Sequence, residues 1–376
     1  MSQASKRYLY ANQLRGCAAL LVLLSHWLGV YWGMRELVAA YTASPVQTGP
    51  NPMAYQLVSI NPEFGLGPLG VSIFFLISGF VIPFSLEKNS RSSFMLARVF
   101  RIFPTYWTGM LVSLGAVWLS GLYWGNRPNW DVKTVVANAF LCHDLLGIPT
   151  TDLVNWTLAI ELKFYIVIAL LSAFIREGKI LALFALSAFF LLFNCLLDRL
   201  TPGSSPAALL IILQALATAS VYIQFMLIGI FFYHASRGRL STVRLAVCVL
   251  TQLFLFALTW KYSPINGQFP VVPKIYGWGL LIFTLAYLLQ HKFHPNRAID
   301  WLADISFPLY AIHGLTGYVL IKLLLQTGMS FNFAALLSFA LVSALAFLLH
   351  RTTELPSLVI GKRLAQTLMR RKNLNE

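Results

Sequence analysis

Ten runs of roughly twenty apolar residues, almost free of charge, follow one another along this chain between Ala11 and His350. About twenty residues of helix span the hydrocarbon core of a bilayer. A chain built this way must satisfy its backbone hydrogen bonds within each segment, because lipid offers none. Charged residues are 11% of the 376, against about 25% in a soluble domain. This excludes a soluble enzyme, a disordered chain and a secreted disulfide scaffold. The expected fold is all-α: a polytopic membrane helical bundle of about ten transmembrane helices.

The expected spans lie near 11–32, 68–86, 104–123, 154–175, 180–197, 207–233, 245–260, 275–290, 303–325 and 333–350. The first apolar run lasts too long for a cleavable signal peptide and lacks a small-residue cleavage site. Two regions are expected: a transmembrane domain over 1–350 and a basic cytoplasmic tail over 351–376. No internal repeat and no second soluble domain is read. Cys17, Cys142, Cys195 and Cys248 show no metal-binding spacing and read as small buried hydrophobes.

Charge placement sets the expected orientation. The formal net charge is +15, which in a soluble protein would suggest nucleic acid. With the N-terminus inside and the spans alternating, twenty of the 28 lysines and arginines fall on the inner side, six on the outer side and two within helices. The inner set begins with Lys6, Arg7 and Arg15 and ends with Arg370, Arg371 and Lys372. That asymmetry argues for both termini in the cytoplasm, for contact with membrane lipids, and for no nucleic-acid partner. Trp27, Tyr31, Trp32, Trp118, Tyr123, Trp124, Trp156, Trp260 and Trp278 gather at the outer ends and read as an aromatic belt.

Ionisable groups inside hydrocarbon are costly, so each is a candidate functional group. Arg15, His26, Glu161 and His313 stand out. At 1.5 Å rise per residue, His26 lies roughly 21 Å from the inner face and Glu161 roughly 10 Å from the outer face. In a core about 30 Å thick these depths nearly coincide, and His313 falls near the midplane. The three groups are therefore expected to be able to meet in one cavity. A histidine can take a proton from a hydroxyl and return it, and a buried carboxylate can hold its tautomer. The competing reading is a polar pair that joins helices.

Arg98 and Arg101, three residues apart, share a helical face at the inner boundary. Guanidinium pairs grip phosphate, although a plain positive-inside anchor has the same spacing. Arg15 either snorkels or completes that anion site. Ser78-Gly79 reads as a close helix approach, and Pro83 and Pro308 as kinks. Lys163 faces away from Glu161 and is expected to snorkel or pair. Asp304 and His350 read as boundary residues. His143 and Asp144 lie in an outer loop where a glycan contact is one reading. No DxD, Walker A or GxSxG motif is present, and no metal site is expected.

Six segments taken together resemble a known family. They are Leu14-Arg15 through Ser25-His26, Phe74-Phe-Leu-Ile-Ser-Gly-Phe80, Arg98-x-x-Arg101, Trp156-Thr-Leu-Ala-Ile-Glu161-Leu-Lys-Phe-Tyr165, Ser306-Phe-Pro-Leu-Tyr310-Ala-Ile-His313, and Thr353-Glu-Leu-Pro356. In this order, over nearly the whole chain, the set resembles the acyltransferase 3 family of bacterial membrane O-acyltransferases. Thr157, Lys163 and Phe307 stand where serine, glutamine and tyrosine are common in that family.

The resemblance implies about ten helices in the bacterial inner membrane and transfer of an acyl group, commonly acetyl, from acyl-CoA to a hydroxyl of a surface or exported glycan. It implies His26 as the essential catalytic residue, with Glu161 at the family's acidic position. It implies Arg15, Arg98 and Arg101 in donor binding. His313, Tyr310, Trp156 and Ser78 are expected to line the cavity or meet the acceptor. No permanently bound cofactor is expected; acyl-CoA and a glycan or lipid-linked glycan are the partners. In the expected mechanism His26, oriented by Glu161, deprotonates the acceptor, or else carries the acyl group itself. A proton-coupled transporter of a glycan or lipid would use the same histidine and glutamate, and a non-catalytic scaffold would need neither.

Overall fold

The computed structural model describes residues 8–59, 65–199 and 207–375, so Lys6 and Arg7 lie outside the described residues. Every regular element among the described residues is helical. The long elements are α1 (Leu9–Gly33), α2 (Leu66–Glu87), α3 (Arg91–Trp124), α4 (Trp156–Leu170), α5 (Ile180–Asp198), α6 (Ala207–Ser236), α7 (Thr242–Lys261) and α8 (Val271–Leu288). A short amphipathic helix α9 (Arg297–Asp304) leads to α10 (Ser306–Ile312) and α11 (Leu315–Gln326). α12 (Phe331–Leu349) and α13 (Leu355–Asn375) complete the chain. Among the described residues eight helices are long and apolar enough to cross a membrane, and a ninth span arises if α10 and α11, bent by 62° at their junction, count as one. α4, at 15 residues, stops at Leu171 before a second piece, Ser172–Arg176, so the fourth expected span arrives in two parts.

α2 is apolar all round and sits at the centre, packed by α1, α6 and α8. A helix without a polar face is stable only where neighbours cover it. Gly79 of α2 and Gly229 of α6 let those two backbones touch: a Cβ on Gly229 would stand 2.6 Å from the Phe80 nitrogen. Small residues at such crossings replace hydrophobic driving force with close van der Waals packing. A second apolar cluster joins the far half of α1, through Trp27 and Tyr31, to α10, α11 and α12. Trp27, Tyr31, Trp32 and Trp260 are therefore buried in protein, whereas Trp118, Tyr123 and Trp278 are exposed on its surface. Only part of the expected aromatic belt faces outward, since several rings fill gaps between helices instead. The four cysteines are free and, against expectation, none is fully buried: Cys17 is exposed, and Cys142, Cys195 and Cys248 are half-buried. A thiol is apolar enough for a lipid-facing position.

Two boundaries differ from the sequence reading. The segment between the second and third expected spans, which ended near 86 and began near 104, is mostly helix: α3 begins at Arg91, capped by Ser90, whose Oγ accepts from the Ser93 N–H at 3.3 Å. At 34 residues α3 is about 51 Å long, well beyond a core of about 30 Å. Arg98 and Arg101 thus sit on a rigid helix rather than in a loop. The tail is likewise helical. α12 runs through a π-helical turn, His350–Glu354, into α13, and Pro356 falls where that turn has already altered the hydrogen-bond ladder. α13 then lies along the basic end of α3.

Candidate active site

The basic ends of several helices converge on one cavity of about 730 Å³, walled by α2, α3, α4, α10 and α13. Its lining carries five cationic side chains, Arg15, Lys88, Arg98, Arg101 and Lys362, and one carboxylate, Glu161. The rest is largely apolar, including Phe74, Phe75, Ile82, Leu158 and Phe307. Low-dielectric walls around one sign of charge focus a field on whatever enters. Among the described residues none of the five cations is ion-paired with a carboxylate.

The three arginines, Arg15 from α1 and Arg98 and Arg101 from α3, sit deeper than the lysines, which are exposed at the rim. Arg15 donates through Nη2 to Asn12 Oδ1 at 2.8 Å and to the Ala303 carbonyl at 3.2 Å. Arg98 stacks over the rings of Phe94 and Tyr165, at 5.3 and 5.6 Å. Arg101 stands close enough to both to be felt electrostatically by each. Arg15 Nε and Arg98 Nε are buried without a hydrogen-bond partner. Buried donors are nearly always satisfied, so two orphans in one cationic cluster point to an anion that accepts from them.

Glu161 does not reach His26 by any hydrogen bond among the described residues. Its Oε1 accepts from Tyr165 Oη at 2.6 Å and from Ser78 Oγ at 3.1 Å. The expected orientation of His26 by Glu161 is corrected here. On α4 the carboxylate and Tyr165 are one helical turn apart, and their hydrogen bond holds the phenol that carries Arg98.

The histidines form a second level. His26 lies in a π-helical turn, Ser25–Val30, within α1. Such turns are frequent at functional sites because they re-aim a side chain. Its Nδ1 meets Tyr318 Oη at 3.0 Å, and its ring lies 5.0 Å from that of His313, edge to face. His313 ends α10, at the 62° break. Its Nδ1 contacts the carbonyls of Tyr310 at 2.8 Å and Leu309 at 3.2 Å. A carbonyl only accepts, so Nδ1 carries the proton and the buried, unpartnered Nε2 is a free acceptor. Trp27 Nε1 donates to the His313 carbonyl at 2.8 Å, fastening α1 to the break.

Tyr310 connects the two levels. It lines the cavity, and its ring lies 5.5 Å from that of His313. Its hydroxyl meets Thr157 Oγ1 at 2.7 Å and the Val154 carbonyl at 3.1 Å. Of the residues singled out from sequence, Arg15, Arg98, Arg101, Glu161, Ser78 and Tyr310 line the cavity. His26 and His313 stand together behind Tyr310, outside its lining. Trp156 packs on Tyr222, with centroids 5.2 Å apart, and does not line it either. Lys163 pairs with Asp144 at 2.8 Å, which occupies that loop carboxylate. Tyr318, Lys88 and Lys362 were not singled out from sequence as site residues, and Tyr165 entered only as the end of the Trp156–Tyr165 segment; a tyrosine or exposed lysine carries no signal until its neighbours are known.

The cavity can hold an elongated anion with an apolar arm, and the histidine level can exchange a proton with a hydroxyl. No curated protein and no solved structure matches the chain. A family model described as an acyltransferase domain does match, over residues 8–351, and its reach across both the cationic cavity and the histidine pair makes this chain a member of the acyltransferase 3 family.

Proposed function

We propose that this membrane acyltransferase takes its acyl group, acetyl in the simplest case, from cytoplasmic acyl-CoA. It delivers that group to a hydroxyl of a cell-surface or exported polysaccharide or glycolipid, in the bacterial inner membrane. The observation that carries this reading is the cavity's lining, where five cations, none ion-paired with a carboxylate among the described residues, surround a largely apolar chamber. Coenzyme A joins several phosphates to a long, weakly polar arm that ends in the thioester, and such a molecule matches both parts. Arg15, Arg98 and Arg101 hold the phosphates, with bidentate guanidinium geometry favouring them over a point charge.

His26 is the catalytic base. In the tautomer that serves as base, Nδ1–H donates to Tyr318 Oη and Nε2 accepts. The acceptor hydroxyl oxygen attacks the thioester carbonyl carbon while His26 takes the hydroxyl proton. The carbon–sulfur bond then breaks, the ester forms, and the departing thiolate takes the proton back from the imidazolium. Glu161 acts through Tyr165 and Arg98 and is a positioning residue. Tyr310 stands between the donor chamber and the histidine pair, and with His313 it lines the acceptor's approach.

The test is transfer of labelled acetyl from acetyl-CoA to extracted surface glycan in membranes carrying the protein or its His26→Ala variant. Label should reach the glycan in the first case and fall to background in the second. Undiminished transfer by His26→Ala at normal protein abundance sinks the mechanism. Surface glycans with unchanged O-acylation in cells lacking the chain would sink the acceptor class.

A further inference from the structure

The helix α13 lies beyond residues 8–351, yet it forms one wall of the donor cavity. Its contact with α3 is tight: a Cβ on Gly361 would stand 2.5 Å from Phe100 Cβ. This close approach brings the next residue, Lys362, and then Gln366, one turn on, into the lining that holds Arg98 and Arg101. Lys362 has no carboxylate partner among the described residues and is exposed. Lys88, just past the end of α2, is the other exposed cation of the lining. The cavity is therefore graded, with half-buried arginines inside and flexible lysines at the mouth.

Resting on the donor assignment above, we infer that Lys362 of α13 binds the outermost phosphate of the donor, the 3′-phosphate of coenzyme A, with Lys88 beside it. A donor entering thioester first leaves its adenosine end at the mouth. The diphosphate then meets the arginine forks, and the 3′-phosphate meets the two lysines. A lysine suits that place, because a mobile point charge follows a partly solvated phosphate without fixed geometry. The C-terminal helix thereby becomes part of the donor site and sets how strongly 3′-phosphorylated coenzyme A is preferred.

The experiment titrates the full-length protein, in uncharged detergent, with coenzyme A and with 3′-dephospho-coenzyme A by calorimetry. Lys362→Gln should bind coenzyme A about tenfold more weakly than the natural protein, while the dephospho form binds both proteins almost equally. Lys362→Arg should restore most of the preference. Gly361→Leu, which keeps the Lys362 side chain but lifts α13, and the lysine with it, away from Phe100, should also weaken coenzyme A binding. Equal coenzyme A affinity in Lys362→Gln and the natural protein overturns the inference while leaving the donor assignment standing. A natural protein that binds neither form overturns both. A Lys362→Gln variant that loses retention on phosphatidylglycerol vesicles but keeps its coenzyme A affinity assigns the lysine to lipid and also overturns it.

Discussion

His26 and His313, 287 residues apart in sequence, place their rings 5.0 Å from each other, edge to face. The two nitrogens of His313 are already sorted, Nδ1 on backbone carbonyls and Nε2 open. His26 is held at one nitrogen by Tyr318 alone. The freer ring is the one suited to move a proton. His26→Ala should therefore lower acyl transfer by about 10²–10⁴-fold, the usual contribution of a general base. Tyr318→Phe keeps the base but loosens it, and should lower transfer by about tenfold, the rate equivalent of roughly one hydrogen bond. Initial rates in membranes with matched protein abundance check both. Full activity in Tyr318→Phe would remove the tyrosine from the mechanism.

Glu161, Tyr165 and Arg98 form a relay that ends at the donor cavity. Glu161→Gln retains an oxygen acceptor and should keep the fold. Glu161→Ala leaves the buried Tyr165 hydroxyl and Ser78 without their shared acceptor, at a cost of about 1–3 kcal/mol. It should lower the melting temperature in detergent and raise KM for acyl-CoA. An unchanged KM in Glu161→Ala would break the proposed link between the carboxylate and Arg98.

The α2–α6 crossing at Gly79 and Gly229 has no room for a side chain. Gly229→Ala should cost about 1–3 kcal/mol through overpacking, and Gly229→Val more. The reading is the amount of folded protein recovered from membranes. Recovery of Gly229→Val at the natural level would mean that the two helices can separate without loss.

Asp152 lies in the segment before α4, outside the spans, and burial pushes its carboxyl up to about 7. Its Oδ1 accepts from the Val154 N–H at 3.2 Å. Between the ordinary carboxylate range and pH 7 the folded chain binds more protons at this site than the unfolded chain. This contribution to stability is therefore present at low pH and is lost as pH rises through about 7. Asp152→Asn keeps an acceptor and removes the titration. Compared with the natural protein, it should gain stability as pH goes from 5 to 8, which is checked by thermal unfolding across that range. A pH-independent difference would contradict the assignment.

Hydropathy and charge are properties of each residue toward its solvent, so they can be read along the chain. They sufficed for the helical membrane bundle and for Arg15, His26, Glu161 and His313, because an ionisable group in hydrocarbon is conspicuous without knowledge of its neighbours. The small pair Ser78-Gly79 announced a close crossing for a similar reason. Partnership is a different matter, because it depends on which helix faces which. Depth along the helix grouped Glu161 with His26, but in the fold the carboxylate meets Tyr165 and Ser78 in the arginine-lined cavity while His26 stands with His313 at a second level. The loop expected before Pro104 became the first turns of α3, since Ser90 supplies a cap that hydropathy does not register. The segment over 351–376 read only as a basic cytoplasmic tail. Only the tertiary structure lays α13 against α3, where the absence of a side chain at Gly361 lets Lys362 join Arg98 and Arg101 around one cavity.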